Sequence, residues 1–131
     1  MRVYLCRHAE AAPGEPDELR ELTADGVEQA RRLGAALAAM LEPPALVLSS
    51  PLIRARQTAA EIATATGAPV RVEDLLAPGA TAASLVEAVA GAQGPVATVG
   101  HQPDCSEIAL ELTGADPGFP VAGSVELTVP V

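Results

Sequence analysis

Apolar residues fall along the chain in short blocks separated by polar turns rich in proline and glycine. Residues 2–7, RVYLCR, form a continuous β-rich run of the kind a strand buried on both faces requires. A polar stretch containing APGEPDE follows. Across residues 22–41, Val27, Ala30, Leu33, Leu37 and Leu41 then recur at helical spacing behind Thr23, a suitable N-cap. Residues 43–51, PPALVLSSP, read as a second buried strand, and residues 53–67 as a helix closed by Gly67. A shorter third strand, APVRVED, is expected over 68–74. A helix over 81–92 is capped by Thr81 and carries Leu85, Val86 and Val89 on one face. A fourth strand, GPVATVGH, is expected over 94–101, and a helix over 104–114 begins at Pro103 or Asp104. GSVELTVPV, residues 123–131, alternates weakly and reads as a closing strand.

Strands alternating with helices predict an α/β fold, a three-layer α/β/α sandwich around a mostly parallel central sheet. A chain of 131 residues has length for one such domain, spanning 1–131. In sheets of this type ligands bind beyond the carboxyl ends of the strands. Three polar clusters stand at those ends: Arg7-His8, Ser49 to Arg54, and Gly100-His101.

Composition narrows the partners. Hydrophobic residues make up 49% but aromatic residues only 2%, so the core must be built from Ala, Val and Leu packed at close range. Seventeen acidic against eight basic residues give a net charge of -9, which argues against nucleic acid or an anionic membrane surface as a partner. All the basic residues are arginine, so any anion site is made of guanidinium groups, imidazole and backbone amides. Two cysteines, no apolar leader and no run of roughly 20 apolar residues fit a soluble protein of the reducing cytoplasm.

The chain has only two histidines, His8 and His101, and both follow expected strands. Either one alone reads equally well as a hydrogen-bonded loop histidine; the pair at two strand ends is a candidate catalytic set. Arg54 and Arg56 lie in the first turn of a helix, where the macrodipole disfavours a cation unless an anion shares the site. One of the two is expected to face inward.

LCRHAEA, SSPLIRARQTA and VGHQP, in that order, resemble the three signatures of the histidine phosphatase superfamily, with its phosphoglycerate-mutase-like fold. The small size and the stretch LLAPGAT are most similar to the family's short phosphohistidine phosphatases. The resemblance implies that His8 is a nucleophile that becomes a phosphohistidine intermediate, and that Arg7 and Arg54 clamp the phosphoryl oxygens. It makes His101 a further donor, to which the backbone N–H of Gln102 at a helix opening is a sensible addition. It implies a phosphorylated protein or small phospho-compound as substrate, and neither metal nor cofactor. Two guanidinium forks and an imidazolium supply the positioning and charge stabilisation that phosphoryl transfer needs. A backbone carbonyl of the loop is expected to hold the second ring nitrogen of His8, with Glu10 serving the loop or the rim.

Two positions depart from the family pattern. Ala9 stands where glycine is common, a slight constraint. Ala77 stands where phosphomonoesterases of the family carry the glutamate that protonates a leaving alkoxide. A phosphohistidine substrate fits this loss, because imidazole, whose conjugate acid has a pKa of about 6.5, leaves without such help once protonated. Two alternatives stay open: a broader phosphomonoesterase using Glu73 or Asp74 as acid, and a phosphate-binding regulatory module without turnover. A zinc site from Cys6, His8, His101 and Cys105 would leave Arg7 and SSPLIRARQTA unexplained, and both cysteines read as small core residues.

Overall fold

The structure, a computed structural model, describes residues 1–130; Val131, the end of the expected closing strand, lies outside them. Strands β1 (Arg2–Arg7), β2 (Leu46–Ser49), β3 (Val70–Val72), β4 (Val96–Gly100) and β5 (Ser124–Thr128) form one sheet in the order β3-β2-β4-β1-β5. The first four run parallel and β5 is antiparallel to β1. Helices α1 (Ala24–Ala38) and α2 (Ile53–Thr66) cover one face, and α3 (Ala82–Val89) and α4 (Asp104–Thr113) the other. The expected sandwich is the observed one.

Alternation along β1 explains the two cores. Val3 and Leu5 point to the α3/α4 side, where Leu85, Val89, Ile108 and Leu127 meet them; Tyr4 and Cys6 point to the α1/α2 side, against Leu33, Leu37, Ala59 and Ile62. Both faces are covered, so the strand's run is apolar throughout. With so few large side chains, the helices must come close. Gly34 permits this between α1 and α2, since a Cβ there would lie 2.8 Å from the Glu61 carbonyl oxygen.

The caps are as expected. Thr23 Oγ1 accepts from Gly26 N, Thr81 from Ser84 N, and Gly67 closes α2 with φ of 77°. Helix α1 stops at Ala38 rather than near Leu41, because the chain must reach Pro43-Pro44 and the residue before a proline disfavours helical geometry. Leu41, assigned from its spacing to the apolar face, is consequently exposed. Strand β3 is shorter than expected and lies at the sheet edge, leaving Val70 and Val72 exposed. No helix among the described residues is long and apolar enough to cross a membrane.

One close approach ties the fold to the loop after β1. The first turn of α1 runs against Glu10, whose carbonyl oxygen accepts from Thr23 N at 3.0 Å. A Cβ on Gly26 would lie 2.0 Å from that same oxygen. Gly26→Ala is therefore expected to displace residues 8–11 and destabilise the protein by about 2–4 kcal/mol, read as a lower urea midpoint.

Candidate active site

Ladder register brings the three polar clusters side by side. Arg7 pairs with Gly100 and Ser49 with Val99, so β1, β4 and β2 end in a row. The chain leaves β1 under restraint: His8 N donates to Gly100 O at 3.0 Å, Ala122 N to His8 O at 3.0 Å, and Ala9 N to Thr58 Oγ1 at 3.0 Å. Thr58 Oγ1 in turn donates to the Arg54 carbonyl at 2.9 Å. One hydroxyl thus joins the loop after His8 to α2.

His8 Nδ1 lies 2.7 Å from the Ala9 carbonyl oxygen. A carbonyl only accepts, so Nδ1 carries the proton and the lone pair is on Nε2. Burial pushes the His8 pKa below the usual histidine range, and Arg54, Arg7 and Arg20 push it further, against the opposing effect of the Ala9 bond. His8 is therefore neutral at pH 7, with an unprotonated lone pair on Nε2.

His101 is 4% exposed and its ring centroid lies 5.2 Å from that of His8. Its Nε2 is 2.7 Å from Ser50 Oγ, and that oxygen accepts from Leu52 N at 3.3 Å. Burial first, then the charges of His8 and Arg54, lower its pKa to about 4, so at pH 7 the ring is a neutral imidazole and not the imidazolium expected.

Arg54 is 7% exposed and Arg56 is exposed, so Arg54 is the inward member of the pair. Arg54 Nη1 donates to Asp17 O at 2.8 Å and Nη2 to Asp17 Oδ2 at 3.0 Å. Arg7 Nη1 donates to Phe119 O at 2.9 Å. Both guanidinium groups are thus fixed at one end only. Among the described residues, four buried side-chain polar atoms have no partner, and three of them are Arg7 Nε, Arg54 Nε and His101 Nδ1. Unpaired buried donors are costly, and an anion is the ligand that would satisfy guanidinium groups in such a place.

Gln102 contributes differently from the others. Its side chain is committed to Ser106, accepting from the backbone N at 2.9 Å and donating to Oγ at 2.8 Å, which leaves only its backbone for a ligand. Glu10 accepts from Thr23 Oγ1 at 2.7 Å and so serves the loop. Glu73 accepts from Leu75 N at 3.1 Å as the cap of a short turn, and Asp74 is exposed. Ala77 follows that turn, in a segment held by Asp104 Oδ2, which accepts from Gly79 N at 2.9 Å and Ala80 N at 3.2 Å. Cys6 and Cys105 are buried on opposite faces of the sheet, so the Cys/His set does not converge on one point. A groove of about 560 Å³ between α2 and β3, lined by Ile53, Arg56, Ala60 and Val72 among others, includes none of His8, Arg7, Arg54 and His101.

Asp17 and the Phe119 carbonyl are supporting groups that the sequence pattern does not single out. Ser50 and Thr58 stand within the second motif, and Thr58 follows Arg54 by one helical turn on the buried face. Asp17 sits in a Pro/Gly-rich loop with no periodicity to mark it.

A model of the histidine phosphatase superfamily, branch 1, matches residues 3–78. Among solved structures, the protein histidine phosphatase SixA complexed with tungstate is 26% identical, with a TM-score of 0.86 over 98% of this chain and 88% of that one. A protein from Agrobacterium tumefaciens assigned as phosphohistidine phosphatase SixA is 33% identical, with a TM-score of 0.83 over 98% and 90%. A mycobacterial glucosyl-3-phosphoglycerate phosphatase, 21% identical, shares the fold with a TM-score of 0.73 over 95% and 88%. No curated protein sequence matches the chain.

The depressed pKa of His101 has a stability consequence. Between pH 6.5 and about 4 the unfolded chain holds a proton on this residue that the folded protein does not, so stability falls as pH falls through that window. The expected loss from His101 is on the order of 2 kcal/mol. Urea denaturation of His101→Gln should show a shallower decline over that range than the unsubstituted protein.

Proposed function

The chain belongs to branch 1 of the histidine phosphatase superfamily, and from that premise we propose that it hydrolyses phosphohistidine on a protein through a covalent intermediate on His8. The observation that carries this reading is the set of unpaired buried nitrogens on Arg7, Arg54 and His101. Both arginines act electrostatically on His8 and the His101 ring lies 5.2 Å from it, while the His8 tautomer leaves Nε2 free for attack.

In the first step the His8 Nε2 lone pair attacks phosphorus and the P–N bond to the substrate imidazole breaks, its electron pair returning to that nitrogen. The substrate ring, protonated from solvent on its other nitrogen, departs as neutral imidazole. Ser50 Oγ donates to His101 Nε2, which puts the ring proton on Nδ1, and Arg7, Arg54 and His101 Nδ1–H donate to the phosphoryl oxygens. In the second step water attacks phosphorus, the P–Nε2 bond breaks, and phosphate leaves with the water's proton passing to solvent or phosphate. His8 is itself a good leaving group here, because Nδ1 keeps its proton against the Ala9 carbonyl and the ring departs neutral. Neither step expels an alkoxide, which is consistent with the methyl group of Ala77 where an acid would otherwise stand.

Incubation with a phosphohistidine peptide should give an acid-labile, base-stable phosphoenzyme that is absent in His8→Ala. Persistence of the label in that variant would sink the nucleophile assignment. Aryl phosphate, whose phenolate leaves without a proton, should also turn over, whereas alkyl phosphates should not. Alkyl phosphatase activity abolished by Glu73→Gln or Asp74→Asn would favour the esterase reading instead. Because His8 is depressed below its ordinary value, the acid limb of kcat/KM should lie below pH 6.5.

Arg54→Ala should lower kcat/KM by about 10²–10³-fold, the scale of losing one transition-state donor. Arg56→Ala, on the exposed side of the same turn, should leave it within about twofold.

A further inference from the structure

We propose that Asp17 is a positioning residue for the anion clamp, its carboxylate bridging Arg54 and Arg20 so that the Arg54 guanidinium is held in one orientation, with Nε and one N–H of each terminal nitrogen left for the anion. The inference rests on Arg54 acting as a phosphoryl clamp. Asp17 Oδ2 accepts from Arg54 Nη2 at 3.0 Å and Oδ1 accepts from Arg20 Nη1 at 3.0 Å, while the Asp17 backbone carbonyl accepts from Arg54 Nη1 at 2.8 Å. Both terminal nitrogens of Arg54 are therefore engaged by one residue, each through one of its two N–H groups, and Nε is left buried and unpaired.

Exposure makes the arrangement unusual. The Asp17 side chain is 61% exposed and that of Arg54 only 8%, so a surface carboxylate holds a buried cation. An isolated exposed ion pair orders little, but here one carboxylate joins two arginines, and a backbone bond adds a third point of contact. Arg20 is anchored in its turn, donating through Nε to Ala12 O at 2.8 Å, which locks the loop from Ala12 to Arg20 around the carboxylate. Glu18, the next acid in the same turn, takes part in none of these bonds. The charges also reach the site: Arg20 acts on His8 and Asp17 on His101. The two arginines hold the Asp17 carboxyl below its ordinary range, so it stays ionised at neutral pH.

A carboxylate beside an anion site opposes anion binding by Coulomb repulsion. Charge alone therefore predicts that removing it tightens binding. Positioning predicts the reverse, because an unrestrained arginine must be ordered by the ligand at an entropic cost.

Titration calorimetry of the full chain with tungstate, a tetrahedral oxyanion, separates the two. Asp17→Asn should weaken tungstate binding about five- to tenfold per folded molecule, the backbone bond to Arg54 being retained. Glu18→Gln, which removes the same charge from the neighbouring residue, should leave the affinity unchanged. In ¹H–¹⁵N spectra the Nε–H signal of Arg54 should broaden or move in Asp17→Asn while that of Arg7 stays in place. Thermal melts of each variant establish that the folded state is being compared. Affinity equal to or tighter than that of the unsubstituted protein, or an unmoved Arg54 signal, would overturn the inference while leaving the clamp intact. Unchanged affinity in Arg54→Ala would overturn the clamp itself, and the role of Asp17 with it.

Discussion

The parallel ladder that sets Arg7 opposite Gly100 and Ser49 opposite Val99 is the constraint on which the site depends. A slip of one residue would turn every side chain of β1 to the other face, exchanging Tyr4 and Cys6 for Val3 and Leu5 in the two cores. Because each core is packed around its own pair of side chains, packing on the two faces fixes the register. Register fixes where the three strands end, and the backbone bonds of His8 to Gly100 and Ala122 carry that order one residue beyond the sheet. Packing thus reaches the reactive nitrogen through a short chain of hydrogen bonds, with Thr58 closing it from the α2 side.

Charge is arranged against the average. The chain carries a net charge of -9, yet Arg7 and Arg54 are gathered next to two imidazoles and beside the N-terminal turn of α2. Burial lowers the pKa of both histidines and the cations gathered there lower it further, so the same clustering that would hold a phosphoryl group also helps to keep His8 unprotonated. The acidic exterior would repel free anions at long range, whereas the local field attracts them only within about a Debye length. A phosphoryl group delivered on a protein surface meets that short-range field directly.

Much of this was legible in the sequence. The strand and helix blocks, the caps at Thr23, Thr81 and Gly67, and the inward turn of one arginine follow from periodicity, capping preference and the helix dipole, all local properties. What periodicity could not mark was the scaffolding. Gly26 sits on a helix whose spacing says nothing of Glu10 running 2.0 Å from its missing Cβ. Asp17 and the Phe119 carbonyl reach Arg54 and Arg7 from sequence separations of 37 and 112 residues, in loops without pattern. Leu41 shows the opposite failure: its spacing was right for the helix, but Pro43 ended the helix first.

The absence of a carboxyl side chain at Ala77 bears on substrate choice through leaving-group chemistry rather than through space. An alkoxide must receive a proton as it departs; an imidazole that already carries one on its far nitrogen departs neutral. In the proposed reaction His8 is the mirror image of its substrate, since its own Nδ1 proton is held at 2.7 Å by the Ala9 carbonyl. Phosphorus then passes from one N–H imidazole to another, and the two half-reactions demand nearly the same stabilisation of three phosphoryl oxygens. In that reaction one set of fixed donors would serve both steps, and Arg7, Arg54 and His101 are each held in the structure by a group of the scaffold: a main-chain carbonyl at Phe119, the carboxylate of Asp17 and the hydroxyl of Ser50.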